Sequence, residues 1–201
     1  MGQIITIMDI TKLSQLDLSK SYSYADYLTW KFQERLELIK GKIFKMSPAP
    51  RRIHQEISRD LLTEMNFFLK GKQCNVFSAP FDVRLPKPNA EDEIYTVVQP
   101  DICVICDPSK LDDAGCVGAP DLIVEILSES TAKKDKTNKF ELYQECGVKE
   151  YWIVSPTDQY IELFVLEDGK YVREGVYTKD DEVRSGVLKN FDLNLNALFI
   201  A

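Results

Sequence analysis

The stretch from Val98 to Leu127 carries Pro-Asp twice, at Pro100-Asp101 and Pro120-Asp121, and then Glu125 inside the apolar run DLIVEIL. An ionised carboxylate buried without a partner is expensive. It needs a shifted pKa, an ion pair or a bound cation. Two acids delivered by neighbouring strands suit a divalent ion, because Mg²⁺ prefers oxygen ligands, keeps several waters and takes one or two carboxylates. Asp101 opens one strand just after a proline, and Glu125 lies in the next, 24 residues later. On a regular strand Asp121, Ile123 and Glu125 share a face, so Asp121 competes with Asp101. A donor from a separate strand converges on one point more easily, which favours Asp101 and makes Asp121 a strand-entry residue.

These acids need elements that place them. SYSYADYLTWKFQE (21–34) reads as a short helix rich in aromatics. RLELIKGKIFKMSP reads as a hairpin turning at Lys40-Gly41, because glycine permits the positive φ of a tight turn. Apolar residues Ile53, Ile57, Leu61, Met65, Phe68 and Leu69 recur at helical period, with Gly71 beyond the end. CNVFSAPFDVRLP and EIYTVVQPDICVIC contain strands, residues 115–118 a loop, and DLIVEIL a central strand covered on both faces. A helix follows, with Phe140, Tyr143 and Cys146 as its apolar stripe and Gly147 as its stop. KEYWIVSP is the next strand, so this strand–helix–strand unit predicts a parallel crossover. A hairpin turning at Asp168-Gly169 and a short terminal helix complete the chain. The fold class is α/β, with a mixed central sheet flanked by helices.

Length and composition predict one soluble domain over 1–201, with 1–20 as a flexible N-terminal arm. No signal peptide or membrane span is expected, and the location expected is cytoplasmic. The five cysteines are odd in number and scattered, which argues against a disulfide framework. Cys103 and Cys106 form a CxxC inside a strand-like run, where residues three apart face opposite ways; small buried side chains are the expectation. The net charge of −7 disfavours bulk non-specific nucleic-acid binding but leaves room for a local basic patch.

The ordered series of a hairpin with Glu37 and Gly41, then MSP, His54, QPD, VEILS, Asp135, Lys139, Tyr143 and EYW resembles the Uma-two family of restriction-endonuclease-like proteins, within the PD-(D/E)XK nuclease superfamily. The resemblance implies a restriction-endonuclease-like fold with added N-terminal and C-terminal hairpins. It also implies a Mg²⁺-dependent nuclease, with Mn²⁺ as substitute, that hydrolyses phosphodiester bonds, foremost in DNA. Asp101 matches the aspartate of PD and Glu125 the acid of (D/E)XK. The motif's lysine would fall at position 127, where this chain has Leu127. Lys139 on the following helix is then the best candidate for the catalytic lysine, with Lys133, Lys134 and Lys136 as rivals nearer an exposed helix start, and Glu37 is an additional acid. Asp101, Glu125 and the Ile126 carbonyl would hold the metal. Lys139 would orient water or stabilise phosphoryl charge, and would lower the acids' pKa values.

Arg51, Arg52 and His54, with Lys133 and Lys134, are the candidates for phosphate contact, if their elements flank the acidic cleft. Asp135 lies one helical turn before Lys139 and is placed to hold it. A homodimer cutting two strands is compatible with this reading. A catalytically inactive nuclease fold that binds nucleic acid or a protein is the alternative. A third reading is a structural domain in which the acids simply pair with Lys139.

Overall fold

The computed structural model describes residues 10–46, 51–86, 94–128 and 135–199. Among these, one six-stranded sheet has the order β12-β11-β10-β9-β6-β3. Its strands are β3 (Asn75–Ser78), β6 (Ile102–Ile105), β9 (Leu122–Ile126), β10 (Glu150–Ser155), β11 (Tyr160–Glu167) and β12 (Lys170–Thr178). β9 runs parallel to β10 and antiparallel to β6. Its burial on both faces explains its nearly unbroken apolar run.

The first face carries helix α2 (Arg52–Leu69), whose Ile57, Leu61, Met65 and Leu69 pack on Ile102, Val104, Val124, Ile126 and Trp152. The four recur every four residues, which puts one stripe against the sheet. The second face carries helix α3 (Phe140–Cys146), entered through a π-helical turn (Asp135–Lys139). Gly147 ends α3 in the left-handed conformation, with φ +84°.

The same face also meets a second six-stranded sheet, ordered β2-β1-β5-β4-β8-β7. It contains β1 (Leu36–Ile39), β2 (Lys42–Lys45), β4 (Val83–Arg84), β5 (Val97–Val98), β7 (Leu111–Asp112) and β8 (Gly115–Val117). Ile39, Val83 and Val98 from it join Cys103, Ile123, Tyr143 and Ile153 in one core. This layer adds a second sheet to the α/β arrangement expected, with its mixed central sheet and flanking helices. The expected hairpin became its edge, and two-residue strands such as β4 and β5 are too short to leave a periodic signal.

The Lys40-Gly41 and Asp168-Gly169 turns both form with positive φ at each central residue, as the sequence implies. Three expectations fail. The loop at residues 115–118 is largely strand β8, paired with β4 and β7. The aromatic helix is only α1 (Tyr24–Tyr27); the aromatics beyond it, Trp30 and Phe32, pack instead against Leu13, Leu16 and Leu36. That same packing anchors the part of the N-terminal arm beyond residue 9, while residues 1–9 lie outside the described residues. Cys74 and Cys106 are disulfide-bonded across β3 and β6, contrary to the cysteine count. Cys103 and Cys106 do face opposite ways: Cys103 lies in the core under the second sheet and Cys106 packs toward α2. Among the described residues no helix is long and apolar enough to cross a membrane.

Candidate active site

The chain crosses from the second sheet to the first at Gln99-Pro100-Asp101, between β5 and β6. β6 and β9 pair with Ile102 opposite Val124. Continued by one step, that register sets Asp101 across from Glu125, and directly opposed residues share a face. Asp101 closes the end of the pair, its Oδ2 accepting the Ile126 N–H at 2.8 Å.

Glu125 is buried on the face that receives α3. Its Oε1 accepts a hydrogen bond from Lys139 Nζ at 2.7 Å and another from Tyr143 Oη at 2.7 Å. Lys139 Nζ also lies 3.0 Å from Glu37 Oε1, delivered by β1 of the other sheet, and 3.8 Å from Asp135 Oδ1. Glu37 Oε1 further accepts the Gln99 backbone N–H at 3.0 Å. Lys139 is only 3% exposed and Glu37 is fully buried, so this is an interior cluster and not a surface ion pair. The residues 135, 139 and 143 lie one turn apart, which makes one helical stripe of acid, amine and phenol.

On the other side, α2 brings the His54 Nε2 within 3.3 Å of Asp101 Oδ2. Burial works to lower the His54 pKa, but the Asp101 carboxylate, the Ile126 carbonyl and Asp135 together raise it above the ordinary imidazole value. Among the described residues its Nδ1 is buried with no hydrogen-bond partner.

The electrostatics are lopsided. Burial pushes the Glu125 carboxyl well above the ordinary carboxylate range; Lys139 opposes this, while Asp135, Asp101 and Glu37 reinforce it. Burial works against the Lys139 charge, but Glu125, Glu37 and Asp135 overcome it and hold its pKa well above the ordinary value. Lys139 faces several acids, which hold its proton firmly, whereas burial and the neighbouring acids disfavour the charge on Glu125. Lys139 does lower the Glu125 pKa, as expected, but burial outweighs it and the net shift is upward.

The donor set is all oxygen, and acids outnumber the cations around them, which fits a hard divalent ion. Among the described residues no three acidic, histidine or cysteine side chains form a ready-made metal group. A metal bound here would take at most two carboxylates and complete its shell with a backbone carbonyl and water, as Mg²⁺ does.

The other candidates divide. Asp121, the rival of Asp101, is tied elsewhere: it accepts the Cys106 N–H at 2.8 Å and Lys149 Nζ at 2.7 Å. Arg51 is the exposed N-cap of α2. Arg52 is exposed and bound to Glu56 at 2.6 Å, one turn along its own helix. Lys136 pairs with Glu162 at 2.9 Å, away from the acids. Lys133 and Lys134 lie outside the described residues. Sequence reasoning placed Tyr143 in the core but missed its bond to Glu125, although its spacing of four from Lys139 was the available signal. Gln99 was missed altogether, because its link to Glu37 runs through the backbone.

Four likenesses bear on this arrangement. A family model, Uma2, described as "Putative restriction endonuclease", matches residues 24–196. Two uncharacterized proteins of Synechocystis are similar in sequence. One is 32% identical over 146 residues, 71% of this chain and 73% of its own length; the other is 31% identical over 130 residues, 63% and 70% respectively. A crystal structure from Anabaena variabilis, titled "a putative nuclease belonging to DUF820", superposes with a TM-score of 0.68 at 20% identity, covering 89% of this chain and 97% of that one. At that identity the likeness is one of fold.

Proposed function

The chain belongs to the Uma2 family, and from that premise we propose that it is a divalent-metal-dependent nuclease hydrolysing phosphodiester bonds, foremost in DNA. The observation that carries this reading is the meeting of Lys139 with Glu125 and Glu37, beside Asp101 on the adjoining strand. Phosphodiester cleavage builds negative charge on a phosphoryl group, and the site holds one secure ammonium to meet it.

Asp101, Glu125 and the Ile126 carbonyl would hold Mg²⁺, or Mn²⁺ in its place, and the ion supplies Lewis-acid polarisation of a phosphate oxygen and an acidified water. Glu37 keeps Lys139 charged and in place. His54 braces Asp101, which refines its expected role from phosphate contact to positioning. Arg51 and the basic segment before Asp135 are the proposed sources of phosphate contact, and a homodimer cutting both strands fits the same reading.

The test is cleavage of plasmid and single-stranded DNA with Mg²⁺, with Mn²⁺ and with chelator. Metal-dependent nicking is expected, falling by at least ~100-fold in Asp101→Asn and Glu125→Gln. Metal binding, followed by calorimetry, should weaken in the same variants. Activity that survives Asp101→Asn would remove the proposal's mechanism.

One observation favours the alternative of an inactive nuclease fold. Leu127 replaces the motif's lysine, and Lys139 is already engaged by two carboxylates. That reading predicts nucleic-acid binding with no cleavage under any metal.

A further inference from the structure

Helix α2 packs one stripe on the first sheet and turns another to solvent. Arg52, Glu56, Arg59, Thr63 and Phe67 recur at steps of three and four residues and so line one outward face, with Asp60 at its margin. Phe67 is 79% exposed, more than any other large apolar side chain among the described residues. A lone exposed phenylalanine is ordinary. This one ends a stripe whose other end borders a cleft.

The cleft has a volume of about 130 Å³ and lies between the start of α2, the turn joining β10 to β11 and a C-terminal helix (Leu195–Leu198). Ile53, Ile57, Leu198 and Phe199 supply its apolar lining, and Arg52 and Glu56 stand on its charged rim. Apolar cavities of roughly 150 Å³ accept a benzene ring, so the cleft has the size for a phenyl group. A guanidinium is attracted to the face of such a ring, which favours an aromatic occupant over an aliphatic one beside Arg52.

The charges along the stripe alternate. Arg52 bonds Glu56 at 2.6 Å, and Arg59 bonds Asp60 through Nε at 2.7 Å and Nη2 at 3.1 Å. Both pairs are local to the helix surface, where an ion pair adds little stability and is readily shared. Arg59 Nη1 makes no hydrogen bond among the described residues and suits a second carboxylate.

We infer that a second copy of the chain covers this face, with the two α2 helices antiparallel about a two-fold axis centred between Arg59 and Asp60. In such a contact residue i meets j and j meets i. Arg59 then faces the partner's Asp60, Glu56 faces the partner's Thr63, and Arg52 faces the partner's Phe67, whose ring enters the cleft. Four charges of alternating sign surround the axis, and no like charges are opposed. Sliding the pair by one turn sets Phe67 against Glu56 in one direction and carries it past the helix start in the other. One register therefore seats the phenyl ring and matches the charges together.

The test is sedimentation velocity on the full chain at concentrations from about 1 to about 300 µM. A contact built on one pair of helices belongs at the small end of specific interfaces, so the wild type should pass from monomer to dimer within that range. Phe67→Ala should weaken association by at least about tenfold. Arg59→Asp and Asp60→Arg each oppose like charges across the axis, and each alone should stay monomeric. Mixed in equal amounts, those two variants should form a heterodimer, because every facing pair is then opposite in sign. A variant that had merely unfolded could not give that rescue. A wild type that is monomeric throughout, a dimer that survives Phe67→Ala, or charge variants that dimerise alone or stay apart when mixed would overturn the interface. DNA cleavage by a protein that stays monomeric would leave the nuclease reading standing, since neither inference depends on the other.

Discussion

Glu150 and Glu125 lie on adjacent parallel strands, β10 and β9, and both are almost fully buried. Their surroundings differ in kind. Glu150 Oε1 accepts the Trp152 indole N–H at 2.6 Å, and its Oε2 accepts the Val187 N–H at 2.9 Å. Its donors are neutral, and the second of them pins the segment before Leu188 to the sheet. Glu125 instead shares one ammonium with Glu37, from the other sheet, and with Asp135. Burial raises the pKa of both, but only Glu125 is pushed further by neighbouring acids. Burial alone therefore does not mark a site. A surplus of like charge that the fold leaves in place does, because a fold free to choose would have replaced it with apolar residues.

The sharpest way to break this contrast is to remove the shared amine. Lys139→Met keeps the volume but leaves Glu37 and Glu125 facing each other in the interior. Removing one partner of a buried pair costs about 3–5 kcal/mol, and urea unfolding should show a loss of that size. The cost should shrink when Glu37→Gln is added, since one uncompensated charge goes with it. A lysine in a half-solvated cleft would cost little to remove, so a loss of that size would mark Lys139 as holding the fold together, whatever chemistry it also does. A loss below about 1 kcal/mol would mean the cluster relaxes or takes up protons at little cost.

Glu150→Ala should cost less, about 1–3 kcal/mol, because it orphans neutral donors and no charge. Divalent-ion binding should be unchanged, and calorimetry on the same sample checks it. A Glu150 variant that loses metal affinity would erase the distinction between the two buried acids.

The sequence made the first sheet legible and the second nearly invisible. β9 and β10 announce themselves as continuous apolar runs, and α2 by its stripe at Ile57, Leu61, Met65 and Leu69. Asp101 and Glu125 were readable because a carboxylate among strand-forming residues needs a reason. Lys139 and Glu37 came from resemblance; spacing alone could not show that β1 carries its acid across to the other sheet. The residues that complete the cluster act through contacts invisible in one dimension. Gln99 serves Glu37 with a backbone N–H, which every non-proline residue has. Cys74 and Cys106 meet because β3 and β6 pair, a fact that a count of five cysteines hides.

The smallest effect expected is in the pH dependence of stability, and its sign separates the two acids from ordinary surface carboxylates. A group whose pKa is raised in the folded protein binds its proton there when the unfolded chain does not. Its contribution is fully present below the unfolded value, near 4.5, and is lost as pH rises through the folded one. Glu125 should therefore make the metal-free protein more stable as pH falls from neutral toward 5. Exposed Asp107 and Asp112, whose hydrogen bonds hold their pKa values down, act oppositely: their contribution disappears only as pH falls below about 4. Comparing wild type with Glu125→Gln at each pH cancels those groups. The difference should shrink toward acid by at most about 1.4 kcal/mol per pH unit, the limit for one proton. The same comparison with Glu150→Gln should give a shallower slope of the same sign, since neutral donors hold its shift down. Saturating Mg²⁺ should flatten the Glu125 slope, because a cation beside the carboxylate restores its charged form, and should leave the Glu150 slope unchanged. Equal slopes for the two acids, with no response of either to Mg²⁺, would show that burial alone sets both.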